Sequence, residues 1–419
     1  MTGRIRIGVV GGGLAGVTLA ISLVKHPHVD VQVYEGASQF LERGAGIGLS
    51  PLTLEALDDI IPSASAIELL KNQAGAVDAD AAHLVVGSGP EAGAVIFDVG
   101  VAAGLTLNRA PLLQTLLSFL PSEMLHAGKR VKSLEQDASG VKVAFEDGTD
   151  AYFDAVIGAD GIFSSIRNHV VGDEPEKHAA SPAGWWDCRR LVPLEEAKRA
   201  LGEESFKVDR QYAWLGEGAS MLQGLVENRT MVQCIIAVID KNFSADRKRK
   251  VTRQVLEDAI PASWYEGPVA KGMMELILDQ EEPKGYAIWE HKSTPTYVNK
   301  RVCVVGDAAH TTAPWQGAGA GMAIEDAYIL SHLIGNASSV AEVEAAFRAF
   351  DSVRRPRCQR IIDTGRTTGR LFCGQDEVAG VDPKKMGEAL GLTFAHVGEL
   401  NLKSHKEEAL ETMRAFLAK

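Results

Sequence analysis

The chain opens on a change of hydrophobic period. "RIRIGVV" reads as a buried strand, "GGGLAG" as a turn with nothing large to pack, "VTLAISLVKH" as a helix and "VDVQVYE" (Val29–Glu35) as a second strand, which together make a βαβ unit. "RGAGIGLSP" follows as another glycine-rich loop, and "PLTLEALDDI" as a helix with Pro51 at its start, where a missing N–H costs nothing. From Gly75 to Val99 the pattern loosens into short β-like pieces, "HLVVG" and "AVIFDV". "NRAPLLQTLLSFL" (Asn108–Leu120) returns to helical spacing. The next stretch alternates, with turns at Ser139–Gly140 and Asp147–Gly148, as a β-meander that ends in a buried strand, "AVIGADG".

From Pro182 to Glu290 the strands are longer and two-faced: "GWWDCRRLV", "QYAWLG", "SMLQGLV", "TMVQCIIAVI" and "YAIWEH", interrupted by a helix, "KVTRQVLEDAI". That predicts a mostly antiparallel sheet with one face open to a ligand or another layer. "RVCVV" is a further buried strand. "GDAAHTTAPWQGAGAG" after it is almost free of charge, and "MAIEDAYILSHLIG" starts a run that is helical to the end. The 419 residues exceed what one compact core usually holds. The expected division is an α/β unit from 1–74, 100–181 and 291–370, a β-sheet unit from 75–99 and 182–290, and a C-terminal helical segment, 371–419.

Composition changes this picture little. Hydrophobic residues make up 46% and charged residues 23%, an ordinary globular balance. The net charge of −12 argues against nucleic acid or an anionic membrane surface as partner. Ile7–Val24 is uncharged and follows Arg4 and Arg6, as in a signal peptide or a short membrane span; a strand–turn–helix explains Gly11, Gly12, Gly13 and Gly16 better. Cys188, Cys234, Cys303, Cys358 and Cys373 form no CxxC pair. They are expected as small buried hydrophobes in a reducing, cytoplasmic compartment, with no metal site.

Three stretches carry candidate chemistry. In Gly11-x-Gly13-x-x-Gly16 the first glycine allows a tight turn and the second lets backbone approach a pyrophosphate. The third lets the helix, opening at Leu14 and Ala15, pack on its strand with its N-terminus facing the negative charge. Glu35 ends the next strand, nineteen residues after Gly16, where an acid accepts hydrogen bonds from a ribose. FAD and NAD both remain open. In "VIGADGIFSSIR" a strand delivers Asp160 into a turn; alone it reads as a helix cap. In the third stretch Asp307 stands at a strand end, able to accept hydroxyls of an FAD ribityl chain. Gly317, Ala318, Gly319 and Ala320 would leave N–H groups free near a flavin ring, whose reduced form a helix N-terminus stabilises.

In this order and spacing the motifs resemble the single-component FAD-dependent aromatic hydroxylases of the para-hydroxybenzoate hydroxylase fold, over about residues 4 to 370. "RGAGIGLSP", "ADGIFSSIR", "QGAGAGMAIEDAY" and the "RRPR" of Arg354–Arg357 are most similar to the salicylate hydroxylase branch. The resemblance implies a Rossmann-type FAD-binding domain with an inserted antiparallel substrate sheet and C-terminal helices. It implies that Gly11, Gly13, Leu14, Ala15, Gly16 and Glu35 hold the ADP part, that Arg109 lies along the pyrophosphate and that Asp307 binds the ribityl chain. Pro314 and Gly317–Ala320 would flank the flavin ring, Arg43 and Gly46 would mark the loop where the flavin swings, and Asp160 would contact FAD and NAD(P)H. His310 would be structural, and Arg189 would meet a substrate carboxylate or phenolate.

The activity implied is a monooxygenase with bound FAD, transient NAD(P)H and O₂, acting on a phenolic aromatic acid through a flavin C4a-hydroperoxide. Carbon dioxide is lost where the substrate carboxylate sits on the attacked carbon. A homodimer is compatible with this reading. Two departures stand out: Trp315 occupies a position where related sequences often carry histidine, and Arg190 adds a second arginine after Arg189. An indole has no basic nitrogen to take a phenolic proton, so Trp315 is expected to wall the pocket. The rival readings are an epoxidase, halogenase or reductase on the same fold, an NAD-dependent dehydrogenase, and a non-catalytic binding protein on this scaffold.

Overall fold

The computed structural model describes residues 4–42, 46–62, 65–78, 81–98, 104–208, 210–241 and 246–418. Arg43, expected beside the flavin, lies outside the described residues. The strand Ile5–Val10 sits inside a six-stranded sheet, between Val29–Tyr34 on one side and Ala155–Gly158 on the other, parallel to both. Val302–Val304 lies parallel on the far side of Ala155–Gly158. Three strands far apart in sequence therefore run side by side, and their carboxyl ends deliver the three glycine-rich stretches to one edge. That is where open α/β sheets bind ligands. Their side chains are apolar on both faces, with Ile7, Val9, Val156, Ile157, Val302 and Val304 fully buried, as parallel strands covered on both sides require. The meander forms a separate antiparallel sheet of Val131–Gln136, Val141–Phe145 and Asp150–Phe153.

A second large sheet takes the order 248–250, 284–290, 181–193, 231–239, 219–226, 210–216, 81–86, 95–98. Only the 81–86 and 210–216 pair is parallel among its described neighbours. Its strands are two-faced. Trp186, Cys188, Cys234, Ile236 and Met221 point to a back layer that includes Trp264, Ala270, Met273 and Ile277. That layer holds two helices, Leu194–Leu201 and Pro268–Leu278, that the strand pattern did not predict. Leu194, Ala197 and Leu201 are helically spaced on one apolar stripe, a signal too short to stand out among strands. The front face looks toward the edge that carries the glycine-rich stretches. The end of the long helix Val340–Phe372 and the helix Pro383–Gly398 cover part of it, through Leu371, Phe372, Met386 and Leu390. All five cysteines are buried and free, as expected of small apolar side chains. No helix among the described residues is long and apolar enough to cross a membrane.

Candidate active site

The first turn is closed by contacts that only glycine permits. Gly11 has φ +116°, and a Cβ there would lie 2.1 Å from the Ala159 carbonyl oxygen. A Cβ on Gly16 would lie 2.0 Å from the Gly11 oxygen. The helix Leu14–Leu23 is capped by Gly13 with no side-chain bond and no acid in its first turn, so the positive end of its dipole is unopposed. Glu35 accepts the Gly12 N–H at 2.8 Å and the Ala37 N–H at 2.7 Å. Glu42, which the sequence did not single out, accepts from Arg109 at 3.1 Å. Burial holds the Glu42 carboxyl above the usual range, Arg109 opposes that, and the charges of Asp307 and Glu35 add to it. Glu42 therefore senses both acids, which brings the first and third stretches together around Arg109. The Arg109 Nε is buried without a partner among the described residues. An orphaned guanidinium donor, an uncapped helix end and acids able to accept hydroxyls fit a dinucleotide such as FAD.

Asp160 is engaged locally. Its carboxylate accepts from Ser164 Oγ, from Ser165 N–H at 2.8 Å and from Ile166 N–H at 3.3 Å, capping the helix Ser165–Val171. Arg167, in the same motif, holds the second stretch to the third. It donates to the carbonyls of Ala308 (3.2 Å) and Ala309 (2.9 Å), to His178 O and to Thr294 Oγ1 (2.7 Å). Burial draws its pKa down to about 10.

Gly306, φ +57°, presses against Ala15, 2.7 Å from where its Cβ would stand. Asp307 follows, exposed, with no side-chain partner among the described residues. Its turn is fixed from behind by Asp326, which accepts the Gly306 N–H at 2.9 Å, His310 Nε2 at 2.5 Å and Arg354 Nε at 2.9 Å. His310 is fully buried in this network, the structural place expected for it. Burial opposes its charge, and Cys358 and Asp326 outweigh burial, leaving its pKa well above the ordinary value. His310, Asp326 and Cys358 offer ligand atoms within 4.8 Å of one another, but the Arg354 guanidinium already supplies the cation there.

Gly317 takes φ +62°, and the helix Gly319–Gly335 starts without a side-chain cap. Cβ atoms on Gly317 and Gly319 would meet nothing within 4 Å, so backbone is left open at this helix end. Pro314 is exposed beside it. Trp315 turns the other way. It is 9% exposed and edge-on to Trp185 at 5.4 Å and Phe372 at 5.8 Å, and its Nε1 would crowd a Cβ on Gly369 at 2.4 Å.

On the front face of the large sheet, residues stack in rows across the strands. Leu191 opposes Gln233 and Gly224; Arg189 opposes Ile235, then Leu222, Ala213 and Leu84; Asp187 opposes Ala237, then Ser220. Trp185 ends the series beside Trp315. At the other end Gln233 Oε1 accepts the Gly46 N–H at 2.5 Å, tying the sheet to the glycine loop. Gln233 was not singled out, although a lone polar residue in "MVQCIIAVI" is a visible signal. Arg189 is on this face, bonded to Asp187 through Nε at 3.1 Å and a terminal nitrogen at 2.7 Å. Arg190 is on the back, paired with Glu196 at 2.9 Å and Asp279 at 3.0 Å. Asp187 is 4% exposed; burial raises its pKa and Arg189 works against that.

The family described as FAD binding domain matches residues 4–365 of this chain. The chain belongs to this FAD-binding family. It is 33% identical to a 6-methylsalicylate 1-monooxygenase of Aspergillus terreus, over 97% of this chain and 92% of that protein. It is 32% identical to a salicylate hydroxylase of Pseudomonas putida, over 97% and 94%. A solved salicylate hydroxylase substrate complex superposes with TM-score 0.81 at 25% identity, covering 98% of each chain. A uric acid complex of HpxO from Klebsiella pneumoniae, also holding FAD, shares the fold with TM-score 0.72 at 21% identity, over 99% of this chain and 98% of the other. The chain is thus an FAD-dependent monooxygenase of the aromatic hydroxylase type, and the dehydrogenase and binding-protein readings fall away.

Proposed function

We propose that the protein hydroxylates a phenolic aromatic acid of the salicylate type, with NAD(P)H as transient reductant. The observation that carries the reading is the front face of the large sheet, where Arg189 stands in a row of apolar residues, Ile235, Leu222, Ala213 and Leu84, on the side turned to the glycine-rich edge. Such a row takes an aromatic ring, and the guanidinium takes its carboxylate. Two of its relatives are by name a salicylate hydroxylase and a 6-methylsalicylate 1-monooxygenase.

When bound, FAD supplies the redox chemistry, accepting hydride from NAD(P)H and activating O₂. Arg109, Glu35, Asp307, the Gly11–Gly16 turn and the open helix end at Gly317–Ala320 would hold it. The front face and the loop through Pro314 would flank the substrate ring and limit the water that reaches it. Arg189 orients the acid. The test is a panel of hydroxybenzoates and non-acidic phenols with FAD-loaded protein, scored by NAD(P)H oxidation and product mass. Salicylate-type acids should give the hydroxylated product, or its decarboxylated form. Protein that carries FAD yet converts no phenolic acid would remove this reading.

A further inference from the structure

The substrate reading leaves open what takes the phenol proton, since Trp315 has no basic nitrogen and its indole is turned toward Gly369 and Phe372. The register of the front face narrows the search. Gln233 touches the glycine loop at Gly46, and Trp185 touches Trp315 beyond Pro314. Gln233 stands opposite Leu191, and from Leu191 to Trp185 the strand covers about 20 Å. The rows between these two contacts are those of Arg189 and Asp187.

Asp187 is the only carboxylate in those rows among the described residues. Across from it stand Tyr286 on one neighbouring strand and Ala237 on the other, with Ser220 beyond Ala237. From the covering helix end come Cys373, whose thiol burial pushes up to about 12, and Gln375, which is bonded to Trp185. Arg189, two residues along the same strand, is its cationic partner. None of the other groups is a carboxylate or an imidazole.

We propose that Asp187 accepts the phenol proton of the substrate, released for this task when the substrate carboxylate takes its place on Arg189. The inference rests on the phenolic-acid reading above. In the resting protein the Arg189 fork is spent on Asp187. An arriving carboxylate offers the same geometry and competes for it. Asp187 is then a desolvated carboxylate without its cation, which favours protonation. The phenol O–H bond breaks, an O–H bond forms on Asp187, and the electron pair stays on the phenolate oxygen. The charge of the four groups is the same before and after, so the transfer needs no ion from solvent. The phenolate directs the ring toward electrophilic oxygen.

The test uses FAD-loaded protein and 5-nitrosalicylate, whose phenol and phenolate absorb at different wavelengths. Wild type should bind it as the phenolate at a pH well below its solution pKa. Asp187→Asn, which keeps hydrogen bonds to Arg189, should bind it as the phenol with similar Kd, FAD content and melting temperature. On salicylate its kcat should fall about a hundredfold or more with KM little changed. A second variant covers a failure of the first to fold: Arg189→Gln should weaken binding at least tenfold and leave the bound ligand protonated. Phenolate bound to either variant, or neutral phenol bound to wild type, overturns the role of Asp187 and leaves the substrate class standing. Wild type that binds no phenolic acid removes both.

Discussion

At the scale of single residues, exposure decides what a substitution can report. Asp307 is exposed, and its carboxylate has no hydrogen-bond partner among the described residues. Asp307→Ala should therefore leave the melting temperature of the flavin-free protein within the range of a surface change, about 0.5 kcal/mol, and lose most bound FAD; the FAD-to-protein absorbance ratio and a thermal melt check both halves. Trp315 is the opposite case. Its indole fills the junction of Trp185, Phe372 and Gly369, and truncating a buried tryptophan costs about 3–5 kcal/mol. Trp315→Ala should lower the melting temperature sharply, and peroxide released per NAD(P)H consumed separates that loss from any opening of the pocket. The sequence put Trp315 after a loop proline, which fixes where its backbone runs and leaves the direction of the ring to tertiary packing. Glu42 escaped notice for a related reason: its partner, Arg109, is far away in sequence, and "ERG" reads as an ordinary polar loop.

Elements were legible where the hydrophobic period was long and regular. The opening βαβ unit, the meander and the five two-faced strands all form as their patterns predicted. The helices at 194–201 and 268–278 were missed because a short helix between strands offers only about two to three turns of periodicity. Joints between elements were not legible at all, and His291 is one. It follows the strand Lys284–Glu290, is fully buried, accepts the Thr311 N–H at 3.3 Å through Nδ1, and gives its own N–H to the Thr311 carbonyl at 3.0 Å. Burial brings its pKa down to about 3, with Arg167 and His310 adding to the fall. The unfolded chain takes up a proton near pH 6.5 and the folded chain does not, so stability is lost as pH falls below 6.5 and the loss continues to about 3. Between pH 6.5 and pH 5 this one group should remove about 2 kcal/mol. Melting temperature measured across that window should fall less steeply in His291→Gln than in wild type.

For the whole molecule, the order of the sheet has a consequence in time. The strand Ile5–Val10 is made well before one of its two neighbours, Ala155–Gly158, and that strand's own outer neighbour, Val302–Val304, follows later still. A nascent chain thus holds an apolar strand, complete in itself, through the synthesis of well over a hundred residues before its second partner exists. The edge with the glycine turns closes only after Asp307 and then Asp326 have followed. Parallel pairings at such sequence separation form slowly and expose strand edges meanwhile. The architecture that gathers three distant glycine turns at one edge therefore favours late closure of that edge, with the strand Ile5–Val10 half-paired until then.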